Sequence, residues 1–196
     1  MARVTLRPLR PRDVPIVRRL VQLYIYDLVG QRWGVETDGT YGSARWHRRF
    51  WRRDDRHHFI VRVNERPAGF ALVRELPVVD GVPSREMAEF FVLRTYRRSG
   101  VGTRVARALF RCFPGRWQLS VLSWNVIARP FWRRVIRRVA VGLAVTRARR
   151  QGDLTSLVWH FRTAAPRARR GVSAGDRRKR SGDRRSRSAA AARSSA

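Results

Sequence analysis

The sequence predicts a single α/β domain. Strand-like apolar runs alternate with segments of helical period, and one such strand runs through a glycine-punctuated turn into an amphipathic helix. The 43% hydrophobic and 10% aromatic content of the 196 residues is enough to build one core.

Residues 4–7 read as a strand, followed by a Pro- and Arg-rich turn and a helix that Asp13 caps with Pro15 in its first turn. Ile16, Leu20, Leu23 and Tyr24 share one face of that helix. Residues 30–42 hold four glycines with Glu36 and Asp38 and read as a loop, and 43–53 read as a short helix carrying Trp46, Phe50 and Trp51. The period then changes to that of strands at 59–63 and 68–74, joined by a hairpin turn at Asn64-Glu65-Arg66-Pro67, and again at 86–93. Between 100 and 112, Val101, Val105, Ala108, Leu109 and Cys112 form an apolar stripe opposite Arg104, Arg107 and Arg111, which predicts a helix with Cys112 in the core. A strand at 117–123, a helix at 125–137 and closing strands at 139–146 and 154–161 complete a domain spanning 1–163.

Beyond it the composition shifts to Arg, Ser, Ala and Gly without aromatic residues, so 164–196 is expected to be a disordered basic tail. The net charge of +30 divides between the two parts: the tail has 11 basic and 2 acidic residues, the remainder 33 and 12. Such a field attracts polyanions, and nucleic acid is a possible partner through the tail; scattered arginines also follow from a coding preference for arginine. Cys112 is the sole cysteine, which excludes an internal disulfide and fits a reducing compartment. With no signal-peptide pattern and no membrane span, the expected location is the cytoplasm. His57, His58 and His160 lack metal-ligand spacing.

The chemistry concentrates where Glu89, Phe90, Phe91, Val92 and Leu93 lead through Arg97, Arg98 and Ser99 into Gly100, Val101, Gly102 and Thr103. A helix N-terminus offers unpaired N–H groups and partial positive charge, and glycines let the backbone approach a phosphate. Arg97, Arg98 and the Thr103 hydroxyl add donors.

These residues resemble the GNAT acetyltransferase superfamily, whose motif Arg/Gln-x-x-Gly-x-Gly/Ala is matched by Arg97, Gly100 and Gly102. Asn125, Ala128 and Phe131 resemble its second block, Asn-x-x-Ala-x-x-aromatic. The resemblance spans roughly residues 3–162. It implies a mixed, mostly antiparallel central sheet flanked by helices on both sides, with acetyl-CoA as cosubstrate. The turn amides would hold its pyrophosphate, Phe91, Val92 and Leu93 its pantetheine arm, and Asn125 would lie beside it. The implied activity is N-acetylation of a small-molecule amine or a protein amino group. Glu89-Phe90-Phe91-Val92 with Trp124-Asn125 is partly similar to polyamine acetyltransferases, but Ala88 stands where those have an acid. Two other classes remain open, a catalytically weak acyl-CoA-binding domain and a nucleic-acid-binding protein, and neither oligomeric state nor acceptor is readable.

Acetyl transfer needs a base for the amine, and Glu86 and Glu89 are the candidates. Their odd spacing on a regular strand sends them to opposite faces, so one at most should face the acceptor, and Glu89 is nearer the thioester. A backbone N–H of Val92 or Leu93 would polarise the carbonyl. Many relatives have a Tyr as proton donor where this chain has Trp132, and Pro130 is expected to kink its helix. The aromatic trio Trp46, Phe50 and Trp51 reads as core, with Glu36, Asp38, Asp54 and Asp55 beside it.

Overall fold

A computed structural model describes residues 2–29, 34–42, 44–52 and 54–164. The chain forms β1 (Val4–Pro8), a 3-10 turn (Pro11–Asp13), α1 (Val14–Val29), α2 (Ala44–Trp51), β2 (Arg56–Val63), β3 (Arg66–Val79) and β4 (Val82–Val92). A second 3-10 turn (Arg94–Tyr96), α3 (Val101–Cys112), β5 (Gly115–Leu122), α4 (Ala128–Val139), β6 (Val145–Gln151) and β7 (Leu154–Thr163) follow. The strands make one sheet in the order β1-β2-β3-β4-β5-β7-β6. Every neighbouring pair is antiparallel except β4 with β5. The expected mixed, mostly antiparallel sheet is therefore present.

Two cores lie on its two faces. On one, α1 and α2 bury Val17, Leu20, Val21, Ile25 and Phe50 against Ile60, Phe70, Leu72 and Phe91. On the other, α3 and α4 bury Val105, Leu109, Phe110, Trp132 and Ile136 against Val73, Met87, Trp117, Leu119 and Trp159. Each such side chain removed from water stabilises the fold by about 1.5–3 kcal/mol before the entropy of ordering it is set against that gain. The aromatic trio belongs to the first core as expected, with Trp46 stacked on Phe50 at 5.3 Å.

Several sequence expectations shift. Asp13 does not cap α1: it ends the 3-10 turn and accepts from Arg62 at 2.9 Å, a pair in which both side chains are largely buried. Leu23 points to solvent, and the buried face of α1 runs through Val17, Leu20, Val21 and Ile25. The helix expected at 43–53 is Ala44–Trp51, and positions 43 and 53 lie outside the described residues, as do 30–33 of the expected loop and 165–196 of the expected tail. Cys112 closes α3 with its side chain exposed, because the buried face runs through Val101, Val105, Ala106, Leu109 and Phe110 and leaves position 112 at its flank. α4 begins at Ala128 rather than 125, which puts Pro130 in the first turn, where its missing N–H would have had no partner in any case. The strand expected at 139–146 is also displaced: α4 continues to Val139, Ala140 only bridges to Thr163, and β6 starts at Val145.

The hairpin between β2 and β3 turns on two residues, Asn64 and Glu65, both at positive φ, so Arg66 and Pro67 already belong to β3. Positive φ at both positions gives a turn whose twist matches the strands. Asp80 and Gly81 repeat the device between β3 and β4, which lengthens both strands well beyond the predicted 68–74 and 86–93.

The Arg62–Asp13 pair supports a first prediction. Asp13→Ala leaves the Arg62 guanidinium largely buried with, among the described residues, the Glu65 carbonyl as its one partner, and is expected to cost about 3 kcal/mol in a urea titration.

Candidate functional site

The site is built where β4 and β5 part. Their parallel pairing runs only from Ser84–Arg116 to Met87–Leu119, yet β4 continues to Val92 and β5 to Leu122. The stretch from Ala88 to Val92 is thus held by β3 on one edge and open on the other. Leu93 N–H donates to the Ala68 carbonyl of β3 at 2.9 Å, so its amide is committed to the sheet. Alternation then turns the Val92 N–H and carbonyl toward the gap, and the Arg97 Nε donates to that carbonyl at 2.8 Å. Of the two amides proposed for polarising a thioester, Val92 alone faces the opening.

A bulge decides where the carboxylates point. Leu72 pairs with Glu89 and Val73 with Met87, which leaves Ala88 as an extra residue in β4. Because Leu72 and Arg74 lie on one face of β3, their partners Glu89 and Glu86 also share a face. The expectation of opposite faces is overturned, since it assumed a regular strand.

The two acids nevertheless differ. Glu86 accepts from the Nε of Arg74 at 2.8 Å and from Gln118 Nε2 at 3.2 Å, so it is paired as a structural anion. Glu89 has no guanidinium partner in hydrogen-bond contact among the described residues; its Oε2 accepts from the Tyr24 hydroxyl at 2.5 Å. Burial pushes its pKa up to about 7, with Glu86 adding to the rise while the Tyr24 bond and the field of Arg49 oppose it. The Tyr24 hydroxyl is itself held well above its ordinary range by burial and by the Glu89 charge.

Beyond β4 the chain makes the predicted turn. Arg98 and Gly100 take positive φ, and Gly100 precedes α3 with no side chain capping the helix. The first N–H groups of a helix have no partner within it, so the Val101, Gly102 and Thr103 amides point out of the turn with the positive end of the helix dipole. Arg98 is exposed beside them. Arg97 turns the other way: besides the Val92 carbonyl, its guanidinium pairs with Asp27 of α1, which also accepts from Arg94. Those guanidinium bonds lower the Asp27 pKa in spite of its burial, the largest single influence and one that acts upward. Ser99 Oγ donates to the Tyr96 carbonyl at 2.8 Å and tightens the turn. A Cβ at Gly102 would meet the Phe131 ring at 3.3 Å, so glycine there lets α3 and α4 approach. Asn125 organises the start of α4, its Oδ1 accepting from Ala128 N–H at 3.0 Å.

Trp132 is buried among Phe90, Phe110 and Phe131, with ring centroids 4.9 Å from Phe90 and 4.8 Å from Phe131. The acids near the aromatic trio are engaged locally: Asp38 accepts from Thr40 N–H, and Asp55 lies 3.1 Å from Arg56. Tyr24, Asp27, Arg74 and Gln118 are site residues the sequence did not announce. Tyr24 and Asp27 stand one helical turn apart on α1, a spacing readable in the sequence, but nothing local ties them to β4. Among the described residues no group of His, Cys, Asp and Glu could hold a metal ion, and no helix is long and apolar enough to cross a membrane.

An open β4 edge, an uncapped glycine-entered helix and a buried carboxyl pushed up to about 7 are the parts that group transfer from a phosphate-bearing donor to a proton-bearing nucleophile would need. The family model for the GNAT acetyltransferases matches residues 23–136, and the chain belongs to that family. It is thus an acyltransferase whose cosubstrate is acetyl-CoA. Among solved structures it is similar to the ribosomal-protein-S18-alanine N-acetyltransferase of Escherichia coli, at 16% identity and TM-score 0.55, over 84% of this chain and 96% of that one. An acetyltransferase from Thermus thermophilus aligns at 17% identity and TM-score 0.54, over 81% and 96%. An aminoglycoside acetyltransferase from an uncultured soil metagenomic sample aligns at 11% and 0.53, over 76% and 97%. At these identities the structures establish a shared fold. No curated protein sequence matches.

Proposed function

We propose that the protein transfers the acetyl group of acetyl-CoA to a primary amine with Glu89 as general base. The observation that carries this is the contrast between two carboxylates on one face, Glu86 bound by Arg74 and Glu89, whose side-chain partner among the described residues is a phenol and whose pKa is pushed up to about 7. A base poised near neutrality can take a proton from an ammonium group and release it to solvent within a turnover. In this reading the Val92 N–H polarises the thioester carbonyl, and the amides of Val101, Gly102 and Thr103 with Arg98 hold the pyrophosphate. The thiolate leaves into a field dominated by arginine, since Trp132 is a core residue without an exchangeable acid proton. Both small-molecule amines and protein amino groups remain within this chemistry, as the names of the structural neighbours illustrate.

Calorimetric titration of acetyl-CoA followed by an amine screen with thiol detection tests the reading; no saturable binding to the folded protein would end it. Tyr24→Phe gives a sharper check. Removing the phenol takes away a bond that lowers the Glu89 pKa, so the acidic limb of the rate profile should move to higher pH. Activity at pH 7 should fall about threefold to tenfold and recover at pH 9.

A further inference from the structure

On the face that carries Glu89, no helix among the described residues packs over β6, which is exposed along its whole length, while Ser156 and Val158 of neighbouring β7 are buried. α1 and α2 pack over β2, β3 and β4, and the core they build contains no residue of the last three strands. Pairing fixes what β6 displays there. Glu86 aligns with Gln118, Gln118 with His160 and His160 with Val145, so Val145, Arg147 and Arg149 of β6 lie on the Glu89 face. All three are exposed. The lowered pKa of His160, caused by partial burial and then by Arg147 and Arg149, agrees with that grouping.

The charge there is of one sign. The three strands contain five arginines and no carboxylate. Arg116 is answered by Asp80 at 2.7 Å, and Arg150 lies on the opposite face from Arg147 and Arg149, bonded to the Gly152 carbonyl. The acids of this face nearer α2 are taken, Glu86 by Arg74 and Asp55 by Arg56. Asp153 sits in the turn beyond the Gln151–Leu154 pair. Arg147, Arg149 and Arg162 have no ion-pair partner among the described residues. A polycationic acceptor would meet repulsion along this path.

We infer that the acceptor is a peptide amino terminus with acidic residues a short way behind it, its amine at Glu89 and its carboxylates on Arg147 and Arg149. The inference rests on Glu89 as the base, and the distance supports it. β4 and β6 are three strand spacings apart, about 14 Å where the strands pair and farther at Glu89, where β4 and β5 have parted, so an extended chain needs about five residues or more. A small amine is too short to use both ends of this surface.

The test is fluorescence anisotropy at 0.15 M salt with two labelled peptides. They share the first three residues and a free amino terminus, and carry either Asp or Lys at positions four to six. The acidic peptide should bind about tenfold tighter or more. Arg147→Glu with Arg149→Glu should abolish that preference, Arg147→Lys with Arg149→Lys should retain it, and Arg133→Glu with Arg137→Glu on exposed α4 should leave it intact. Glu89→Gln should stop acetylation of the acidic peptide while sparing its binding. Equal binding of the two peptides overturns the inference, as does a preference lost equally in the α4 variant or tighter, Arg147-dependent capture of a single-stranded oligonucleotide. The transferase reading stands apart from these results, because acetyl-CoA titration and turnover on any other amine judge it independently.

Discussion

Glu89→Gln is expected to lower kcat by about 10²- to 10⁴-fold with acetyl-CoA binding unchanged, the usual contribution of a positioned general base. In the wild type, the rate should rise with pH through an apparent pKa near 7, because the ionised form of Glu89 accepts the proton. The variant should lose that limb. Stability should move in the opposite sense. A raised folded-state pKa means that the folded protein keeps the proton up to about pH 7, whereas an exposed glutamic acid releases it near 4.5, so ionisation erodes stability as pH rises across that window. Glutamine cannot ionise. Glu89→Gln should therefore gain on the order of 2–3 kcal/mol relative to wild type at pH 8 and little at pH 4, visible as a Tm difference that opens with pH. A variant less active and no more stable at alkaline pH would show that Glu89 is not held in a costly ionised state.

Gly102→Trp should abolish measurable acetyl-CoA binding. Even a methyl group at this position reaches the Phe131 ring at 3.3 Å, so an indole must either force α3 away from α4 or project across the helix N-terminus. The first outcome costs about 1–3 kcal/mol of stability, and the second covers the amides that would receive the pyrophosphate. Gly102→Ala separates the two, since it applies the same contact at smaller scale while leaving the amides open. It should weaken binding by about tenfold or less. Calorimetry of both variants beside urea titrations distinguishes a blocked site from a loosened fold.

The fold was legible wherever period and turn chemistry agree. The strands β2 and β3, the helix α3 with Val101, Val105 and Leu109 on its buried face and the glycine turn all appear in the structure because each is a local decision. The failures share a cause in contacts distant along the chain. Asp13 has the chemistry of a helix cap, but the Arg62 guanidinium on β2 is a stronger claim on its carboxylate. The boundary of β6 depended on where α4 stopped, and the one turn signal in the Val139–Val145 stretch, Gly142 at positive φ, stands among apolar residues that read as a continuous strand. At the site, the glycines and the choice of two acids were readable. Their division of labour was not, because a one-residue bulge at Ala88 set their faces and because Arg74, Gln118 and Tyr24 come from other elements.

The last two turns of α1 have a consequence for how the two half-reactions communicate. Tyr24 bonds Glu89, the proposed base, Asp27 ties down Arg97 and Arg94 behind the turn proposed to hold phosphate, and the Leu28 carbonyl accepts from Trp124 in the loop that leads to α4. One rigid rod thus touches the donor side, the acceptor side and the loop leading to the helix beside them. Any ligand that shifts this rod changes the proton affinity of Glu89 and the tension on the phosphate turn together. Thermodynamic linkage then requires the converse: occupancy of the turn should alter the affinity for the amine by the same factor that amine occupancy alters affinity at the turn.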